Sequence, residues 1–343
     1  MIGRYSNLTL IPHIPVEQWA IKPTLPDARD YQYSLMVADP LKSTARPKAL
    51  NRTKLVQRNQ KDIPMCGGMA LANAKDMRES VVCSGAWAYK KAKEVDGDPT
   101  GEGTTIRALM DVATKVGVCK DELFKTSFFV DSKTYPPITE QAIADASRRK
   151  AEGYVAIRNR EEMLDAIWKY GSVTCGIMVT DSFVNLNDGY VPRPEGKILG
   201  GHAIDFISYD ENMTHTYPNG ETHTGFVMSP NWWSGDWGGL NGDFWYPLDI
   251  LFTDPMKTYP FTYMWDSFAV IDEFPIVSTN FTMDTAPFIK DSRTFVPIRF
   301  IAEALGANVM WDDNAKTIQI VSPGVTINMA IGDKNYTVLK GAL

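Results

Sequence analysis

Residues 60–74 read QKDIPMCGGMALANA, and the apolar residues after Cys66 recur at helical spacing. The pattern predicts a helix over residues 66–78 that begins at Cys66. The unpaired N–H groups and the partial positive charge of a helix N-terminus favour a thiolate over a thiol. Gly67 and Gly68 are small and leave the sulfur approachable. This stretch therefore predicts a cysteine nucleophile at the start of a helix.

A thiolate nucleophile needs a base, and it needs a donor for the oxyanion that forms when it attacks a carbonyl. His202 lies in a Gly-Gly-His-Ala-Ile segment at the mouth of a predicted strand, and it is the candidate base. Asn231 ends the next predicted strand and is the candidate partner for the second ring nitrogen of His202. The side-chain amide of Gln60 is a candidate hydrogen-bond donor to the oxyanion. Together these residue types predict an acyl-transfer site.

The composition excludes several classes of protein. The 343 residues include 44% hydrophobic and 22% charged residues, which is typical of a globular chain of about two domains. A net charge of −6 gives no reason to expect a nucleic-acid partner. No apolar run approaches the roughly 18 residues of a membrane span. Four Cys without CxxC spacing and four His without HExxH predict no metal site, and we expect no cofactor.

Helical patterns come first in the chain and strand patterns follow, which predicts an α+β fold with a helical half and a β half. Further helices are predicted over residues 104–116, 139–151 and 161–169, and strands over 172–179, 203–209 and 225–229. The Pro-rich residues 1–45 are predicted to form an extended N-terminal arm or a short pro-like segment. Residues 46–265 are predicted to be the main domain, and residues 272–343 a small α+β module.

The ordered set of Gln60, Cys66, a Gly-His-Ala segment and Asn-x-Trp with a Gly-rich tail resembles the papain-like cysteine peptidases of the bacterial or phage type. The resemblance implies a two-lobed fold, with a helical lobe and a β-barrel-like lobe. It implies hydrolysis of peptide bonds through a Cys-His-Asn triad and an acyl-enzyme intermediate. Cys66 would be the nucleophile, resting as a thiolate beside a protonated His202. Asn231 would orient the imidazole, and Gln60 with the backbone N–H of Cys66 would hold the oxyanion.

The same resemblance implies which residues bind the peptide. They are Gly101, Gly103, Gly201 and Trp233. The chain also departs from the family, because Gly67 stands where an aromatic residue is usual and Trp232 follows Asn231 where a small Ser is commoner. The family's cysteine upstream of the nucleophile is absent, and a disulfide between Cys83 and Cys119 is left open as an alternative. These departures bear on the substrate preference.

Residues 272–343 resemble the copper amine oxidase N-terminal-type, or stalk, domain. The resemblance is carried by APF at 286–288, RTFVPIRF at 293–300 and ALGA at 304–307. The segment contains neither His nor Cys, so we expect no copper site. Such modules are common on bacterial cell-surface proteins. The resemblance therefore implies a cell-envelope or phage-particle partner and an extracellular or cell-surface location, although no classical signal peptide is seen and a phage-associated or cytoplasmic location stays open.

Three functions follow from these observations. The first is a thiol-dependent peptidase that acts on a peptide or protein substrate. The second is a transpeptidase or amide hydrolase of the same fold that acts on cell-wall peptides. The third is a non-catalytic papain-like binding or structural protein of a bacterial surface or phage particle, which the unusual Gly67 and Trp232 motivate.

Overall fold

The computed structural model describes most of the chain between residues 46 and 340. The described residues are 20–24, 27, 46–128, 135, 137–252, 263–272, 288–290, 293–295, 297–299, 302, 307–322 and 325–340. Of the predicted N-terminal segment 1–45, only 20–24 and 27 fall within these ranges. The chain divides into two compact units, Met1–Phe274 and Pro275–Leu343.

The first half of unit 1 is mainly helical, as the apolar spacing predicts. Its described helices are α1 Cys66–Glu79, α2 Gly85–Val95, α3 Ile106–Asp111, α4 Glu140–Arg148, α5 Arg160–Tyr170, α6 Asp181–Val184 and α7 Leu248–Leu251. Helix α3 continues as the π-helix Val112–Val116. Side-chain oxygens of Ser84, Thr105 and Asn159 accept hydrogen bonds from first-turn backbone N–H groups of α2, α3 and α5. These caps explain why the three helices begin where they do.

The described strands of unit 1 are mostly in its second half. They are β1 Ile21–Lys22, β2 Ala49–Leu50, β3 Thr104–Thr105, β4 Gly153–Ala156, β5 Val173–Thr180, β6 Ile198–Phe206, β7 Ser208–Thr216, β8 Thr222–Pro230, β9 Asp243–Pro247 and β10 Met264–Ile271. Two antiparallel sheets have the strand orders β4-β10-β5-β6 and β2-β7-β8-β9. Strand β10 lies between β4 and β5 and runs beyond residue 265, where the predicted main domain ends.

The β half differs in one respect from the expected β-barrel-like lobe, because the described strands form two open sheets and no closed barrel. The ladder of β6 with β5 ends at Phe206, and the chain enters β7 of the other sheet only two residues later. The two sheets are joined by hydrogen bonds such as the one from Ile207 N–H to Met228 O, at 2.9 Å. The mixed helix and sheet composition agrees with the predicted α+β class.

Helix α1 is the central element of unit 1. It is buried from Cys66 to Asp76, and its residues pack on strand β6 and on α2. A Cβ atom on Gly68 would lie 2.2 Å from the carbonyl oxygen of Gly85, so only glycine permits this approach of α1 to α2. The core around α1 therefore fixes the position of the predicted nucleophile at the N-terminus of the helix.

Unit 2 is mainly strand in its described part. Its strands are β11 Phe288–Lys290, β12 Arg293–Phe295, β13 Asn308–Asp312, β14 Thr317–Ser322, β15 Val325–Ala330 and β16 Tyr336–Lys340. The first two form a hairpin, and the last four form an antiparallel sheet in chain order. Buried Ala302, Val309 and Ile320 form a small apolar cluster. After Pro297, the described residues 298, 299 and 302 are helical.

Candidate active site

The N-terminus of α1 places Cys66 against strand β6. Met65 precedes the helix and makes no side-chain capping hydrogen bond, which leaves first-turn N–H groups for the sulfur. Cys66 Sγ accepts hydrogen bonds from the backbone N–H groups of Gly67 and of Ala203 on β6. Because Ala203 directly follows His202, this contact brings the chain segments of the predicted nucleophile and the predicted base together.

His202 and Asn231 are joined by a hydrogen bond, with His202 Nε2 2.8 Å from Asn231 Oδ1. The same oxygen accepts a hydrogen bond from the backbone N–H of Trp232 at 2.8 Å, and Asn231 N–H donates to Gly242 O at 2.7 Å. These bonds fix the carboxamide, so Oδ1 selects the ring tautomer that carries its proton on Nε2. The other ring nitrogen, Nδ1, then has a lone pair for proton exchange with a thiol.

Aromatic rings cover the bond between His202 and Asn231. The ring centroid of Trp233 lies 4.8 Å from that of His202, and the Phe183 ring lies 5.6 Å from that of Trp233. Trp232 is fully buried, and its indole N–H donates to Ala203 O at 2.8 Å. The cover lowers the local dielectric and excludes water, which strengthens the hydrogen bond that orients the imidazole.

Gln60 lies in the loop before α1 and is attached to the Trp232 segment. Its backbone N–H donates to Trp232 O at 2.7 Å, so the loop that carries Gln60 and the loop that carries Asn231 form one unit. The side-chain amide donates to Ile63 O at 2.9 Å. An amide NH₂ has two hydrogens, and this bond uses one of them. Gln60 thus lies in the loop that leads into α1, and its side-chain amide retains one donor hydrogen.

The four predicted peptide-binding residues have different environments. Gly201 is buried on β6 opposite Met178 of β5, and Trp233 lies on His202. Gly101 N–H donates to Asp98 Oδ1 at 2.9 Å, and Gly103 N–H donates to the Tyr89 hydroxyl at 3.1 Å. The two backbone donors are thus occupied within the chain, and they offer no free hydrogen bond to a peptide in this conformation.

The N-terminal segment occupies the strand edge beside these glycines. Strand β1 pairs in parallel with β3, and Thr104 N–H donates to Ala20 O at 3.1 Å. Ile21 is fully buried, and a Cβ atom on Gly67 would lie 3.5 Å from its Cδ1 atom. Thr24 donates from N–H and Oγ1 to Asp266 Oδ2, at 2.8 and 2.9 Å. Residues 20–24 therefore lie against the residue that follows the predicted nucleophile.

Burial controls the charge of the two reacting groups. Desolvation raises the pKa of the Cys66 thiol to about 11, although three backbone N–H groups oppose this effect. Desolvation also lowers the pKa of His202 to about 4, and the hydrogen bond that its ring donates to Asn231 opposes that shift only in part. Burial therefore disfavours the charged form of both groups in this conformation. The resting thiolate and imidazolium stay a prediction.

The remaining cysteines and charged residues form no second centre in the part of the chain that the structure describes. All four cysteines are free, so the Cys83–Cys119 disulfide does not form in this structure. No cluster of three potential metal ligands occurs among the described residues. Within the same ranges, no helix has the length and apolarity that crossing a membrane requires.

Some residues around the site were not predicted from the sequence. Phe183 and Ile21 lie in segments without any motif, and their contacts with the site are long-range. Asp205 is another, since it is fully buried three residues after His202. The sequence did contain an indication of Asp205, which is the single carboxylate inside the apolar run 203–207. A carboxylate in such a run is expected to be buried, and a buried charge must have partners.

Comparisons with known proteins bear on the fold of the chain and on its C-terminal residues. Residues 276–342 match the family model described as Copper amine oxidase N-terminal domain. No curated protein matches the chain significantly in sequence. Among solved structures, xylellain, a cysteine protease from Xylella fastidiosa, has a TM-score of 0.57 and 19% identity; the match covers 77% of this chain and 100% of xylellain.

Two further structures have lower TM-scores. Procathepsin B from Trypanosoma congolense has a TM-score of 0.49 and 14% identity, and the match covers 75% of this chain and 88% of that chain. Bromelain from Ananas comosus has a TM-score of 0.46 and 14% identity, and the match covers 66% of this chain and 100% of bromelain. On the similarity to xylellain, unit 1 has the fold of the papain-like cysteine proteases, and the residues after it match the copper amine oxidase N-terminal domain.

Proposed function

We propose that this protein is a thiol peptidase that hydrolyses peptide bonds through Cys66, His202 and Asn231. The observation that carries the proposal is the 2.8 Å hydrogen bond between His202 Nε2 and Asn231 Oδ1, on a strand whose next residue, Ala203, donates its N–H to Cys66 Sγ. A nucleophile, a base and a group that orients the base are thus adjacent on a papain-like fold.

The proposed reaction follows from the residues in place. His202 takes the thiol proton as Cys66 Sγ attacks the carbonyl carbon, and the Cys66 backbone N–H and the Gln60 amide stabilise the oxyanion. The imidazolium then gives its proton to the leaving amine, the C–N bond breaks, and a thioester remains on Cys66. Water attacks the thioester and gives a proton to His202, and the acid product leaves as the thiol is restored.

The reaction requires a change in the N-terminal segment. With Ile21 against Gly67, Cys66 has no exposed surface, and burial raises the pKa of its thiol. We infer that this segment must leave before a peptide pairs with β3 and before solvent brings the pKa values of Cys66 and His202 closer to their ordinary values. This inference favours the pro-like segment over the simple arm among the two interpretations of residues 1–45.

Hydrolysis of an unfolded protein substrate tests the proposal. We expect cleavage by the chain after its N-terminal segment is displaced, and no cleavage by the Cys66→Ala variant. Cys175→Ala is the matched control, because Cys175 is equally buried but lies on β5 and takes no part in the reaction. Equal cleavage by the Cys66→Ala variant would refute the proposal.

A second candidate is a non-catalytic protein of the same fold. The specific observation in its favour is the burial of Cys66 and His202, which disfavours the charged form of each group. If neither hydrolysis nor transfer to an added amine occurs after the segment is displaced, this candidate replaces the peptidase. Product formation only with the amine present would instead indicate a transpeptidase.

We also propose that the C-terminal module attaches the protein to a bacterial envelope or a phage particle. The match of residues 276–342 to the Copper amine oxidase N-terminal domain supports a separate module here, and the surface location rests on the sequence resemblance. A fluorescent fusion of residues 272–343 should sediment with isolated bacterial envelopes, whereas the fluorescent protein alone should remain in the supernatant. Equal sedimentation of both would contradict the proposal.

A further inference from the structure

Helix α1 contacts strand β6 at two points that lie on one face of the helix. At the first, Cys66 Sγ accepts the N–H of Ala203. At the second, Asn73 Nδ2 donates to Asp205 Oδ2 at 2.9 Å. Asn73 follows Cys66 by about two helical turns. The helix that carries the nucleophile is therefore attached to the strand that carries His202 both at its N-terminus and near its middle.

The second contact belongs to a buried network of hydrogen bonds, in which Asn73 Oδ1 itself has no partner. Asp205 and Asn73 have no exposed surface, and Thr174 has almost none. Thr174 Oγ1 on β5 donates to Asp205 Oδ1 at 2.8 Å, and the Ser172 side chain donates to the same carboxyl group. The backbone of Asp205 also exchanges hydrogen bonds with Ser229 Oγ of β8, at 3.3 and 3.0 Å. Asp205 is thus held to β5 and β8, and through Asn73 to α1.

The charges around Asp205 make the hydrogen-bond donors important. Its side-chain donors are all neutral, and Asp76 of α1 adds a repulsive negative charge that Arg58 neutralises at 2.6 Å. On β5, Cys175 is close enough for Asp205 to raise the pKa of its thiol. A carboxylate at this position is stabilised only while its donors keep their hydrogen-bond geometry. A buried acceptor that loses a donor lowers the stability of the fold by about 1–3 kcal/mol.

We propose that Asn73 and Asp205 are positioning residues: their buried hydrogen bond sets the register of α1 on β6 and so holds Cys66 Sγ beside His202. The consequence for catalysis rests on the proposed peptidase function, whereas the effect on the Cys66 thiol does not. Neither residue touches a substrate in this account. Both residues act through the placement of Cys66 Sγ. A shift of α1 along β6 by less than one helical turn would separate the sulfur from the imidazole.

The test compares two variants that each remove one donor from Asp205. Asn73→Leu removes the donor on α1 at similar volume, and Thr174→Val removes the donor on β5 and leaves α1 in place. In the full-length chain with Ile21→Asp, which displaces the N-terminal segment, the rate of Cys66 alkylation by iodoacetamide is measured against pH by peptide mapping, together with the thermal midpoint, kcat and KM. We expect Asn73→Leu to lower the alkylation rate and kcat by about tenfold or more at unchanged KM, and Thr174→Val to change them by less than about twofold.

A reciprocal exchange separates positioning from stability. Asn73→Asp places two carboxyl groups in contact, and the double variant Asn73→Asp, Asp205→Asn restores a hydrogen bond with the roles exchanged. We expect the double variant to recover the alkylation rate to within about threefold of the parent chain, which the single Asn73→Asp variant does not. If Asn73→Leu fails to fold, Asn73→Gln keeps the amide but moves it by one methylene, and it should lower the rate in the same way.

Two outcomes would overturn the inference. One is an equal loss for Thr174→Val and Asn73→Leu at matched thermal midpoints, which would make the network merely stabilising. The other is a folded double variant without recovery. If the parent chain cleaves no peptide while the exchange still restores Cys66 alkylation, the positioning inference stands and the peptidase proposal fails.

Discussion

Asn231 Oδ1 accepts two hydrogen bonds at once, from His202 Nε2 and from the backbone N–H of Trp232, each at 2.8 Å. The second bond restrains the carboxamide, so it cannot rotate to present its NH₂ group to the imidazole. Because Asn231 is already restrained, its hydrogen bond to the imidazole costs little further side-chain entropy. A substitution of Asn231 therefore measures what this hydrogen bond contributes to the orientation of His202.

We expect Asn231→Ala to lower kcat by about 10- to 100-fold, because a hydrogen bond to a group that becomes charged is worth about 1.5–3 kcal/mol. The measurement is steady-state hydrolysis by folded protein that also carries Ile21→Asp, which displaces the N-terminal segment. Asn185→Ala is the control, because Asn185 is exposed and its side-chain amide donates to Asp181 O of the adjoining helix. A rate for Asn231→Ala equal to that of the control would mean that Asn231 has no role in orienting His202.

Asp205 gives a second prediction, which concerns stability. Burial raises the pKa of Asp205 to about 7 from the ordinary 3.8. Between these pH values the folded chain keeps a proton that the unfolded chain has lost, so the contribution of Asp205 to the free energy of unfolding falls as the pH rises. Asp205→Asn removes this dependence. The thermal midpoint of the parent chain relative to the variant should therefore decrease from about pH 4 to about pH 7.

The comparison with the variant is needed because His202 has the opposite effect. Its pKa is lowered to about 4 from 6.5, so the unfolded chain binds a proton that the folded chain does not, and this group makes stability rise with pH in the same range. Both chains contain His202, so the difference between them isolates Asp205. A difference that is constant, or that rises with pH, would contradict the raised pKa of Asp205.

At the scale of elements, the sequence predicted the helices and strands that have a periodic apolar pattern or contain a distinctive residue. It did not predict elements whose formation depends on a single long-range contact. The helix at Cys66 was predicted over residues 66–78 and extends over Cys66–Glu79, because its apolar spacing and the following Ser80 are local signals. Strand β1 has only two residues and no pattern, so its pairing with Thr104–Thr105 could not be predicted.

The N-terminal segment gives a prediction at this scale. Ile21→Asp places a charge in a fully buried position, where it costs several kcal/mol, so the segment should leave β3. We expect the rate of Cys66 alkylation to rise at least about tenfold without a loss of helical content, since access to the thiol follows the population of the open state.

Ile138→Asp is the control for this variant, since Ile138 is apolar but 38% exposed. It should leave the alkylation rate unchanged. An unchanged rate in Ile21→Asp as well would show that the segment does not restrict access to Cys66, and the simple-arm interpretation of residues 1–45 would then be preferred.

At the scale of the whole molecule, the order of helices and strands predicted the α+β class, but the arrangement of the sheets was not predictable. Whether β6 and β7 continue one barrel or enter two sheets depends on the hydrogen-bond partners of Phe206 and Ser208, which neither residue reveals by itself. The Asn73–Asp205 bond was missed for the same reason, since it joins residues 132 positions apart. The residues proposed to carry the chemistry could be named from the sequence because their types and order are unusual, and their roles stay a prediction.

The division into two units predicts that the peptidase reaction depends on unit 1 alone. A chain that ends at Phe274 should retain the kcat and KM of the full chain to within about twofold, because Cys66, His202, Asn231 and their hydrogen-bond partners all lie before this residue. The same truncation should abolish sedimentation with envelopes. A large loss of kcat in the truncated, folded chain would instead assign unit 2 a part in the reaction.

The central claim is that Cys66 and His202 act as one nucleophilic pair, and labelling with an epoxysuccinyl probe tests it most directly. The probe is added to the Ile21→Asp chain and to the same chain with His202→Ala, and adducts are located by intact mass and peptide mapping. We predict one adduct, on Cys66, that forms at least about tenfold more slowly without His202, because the imidazole is the base that generates the thiolate. Equal rates in the two chains, or no adduct on Cys66 in either, would contradict the account.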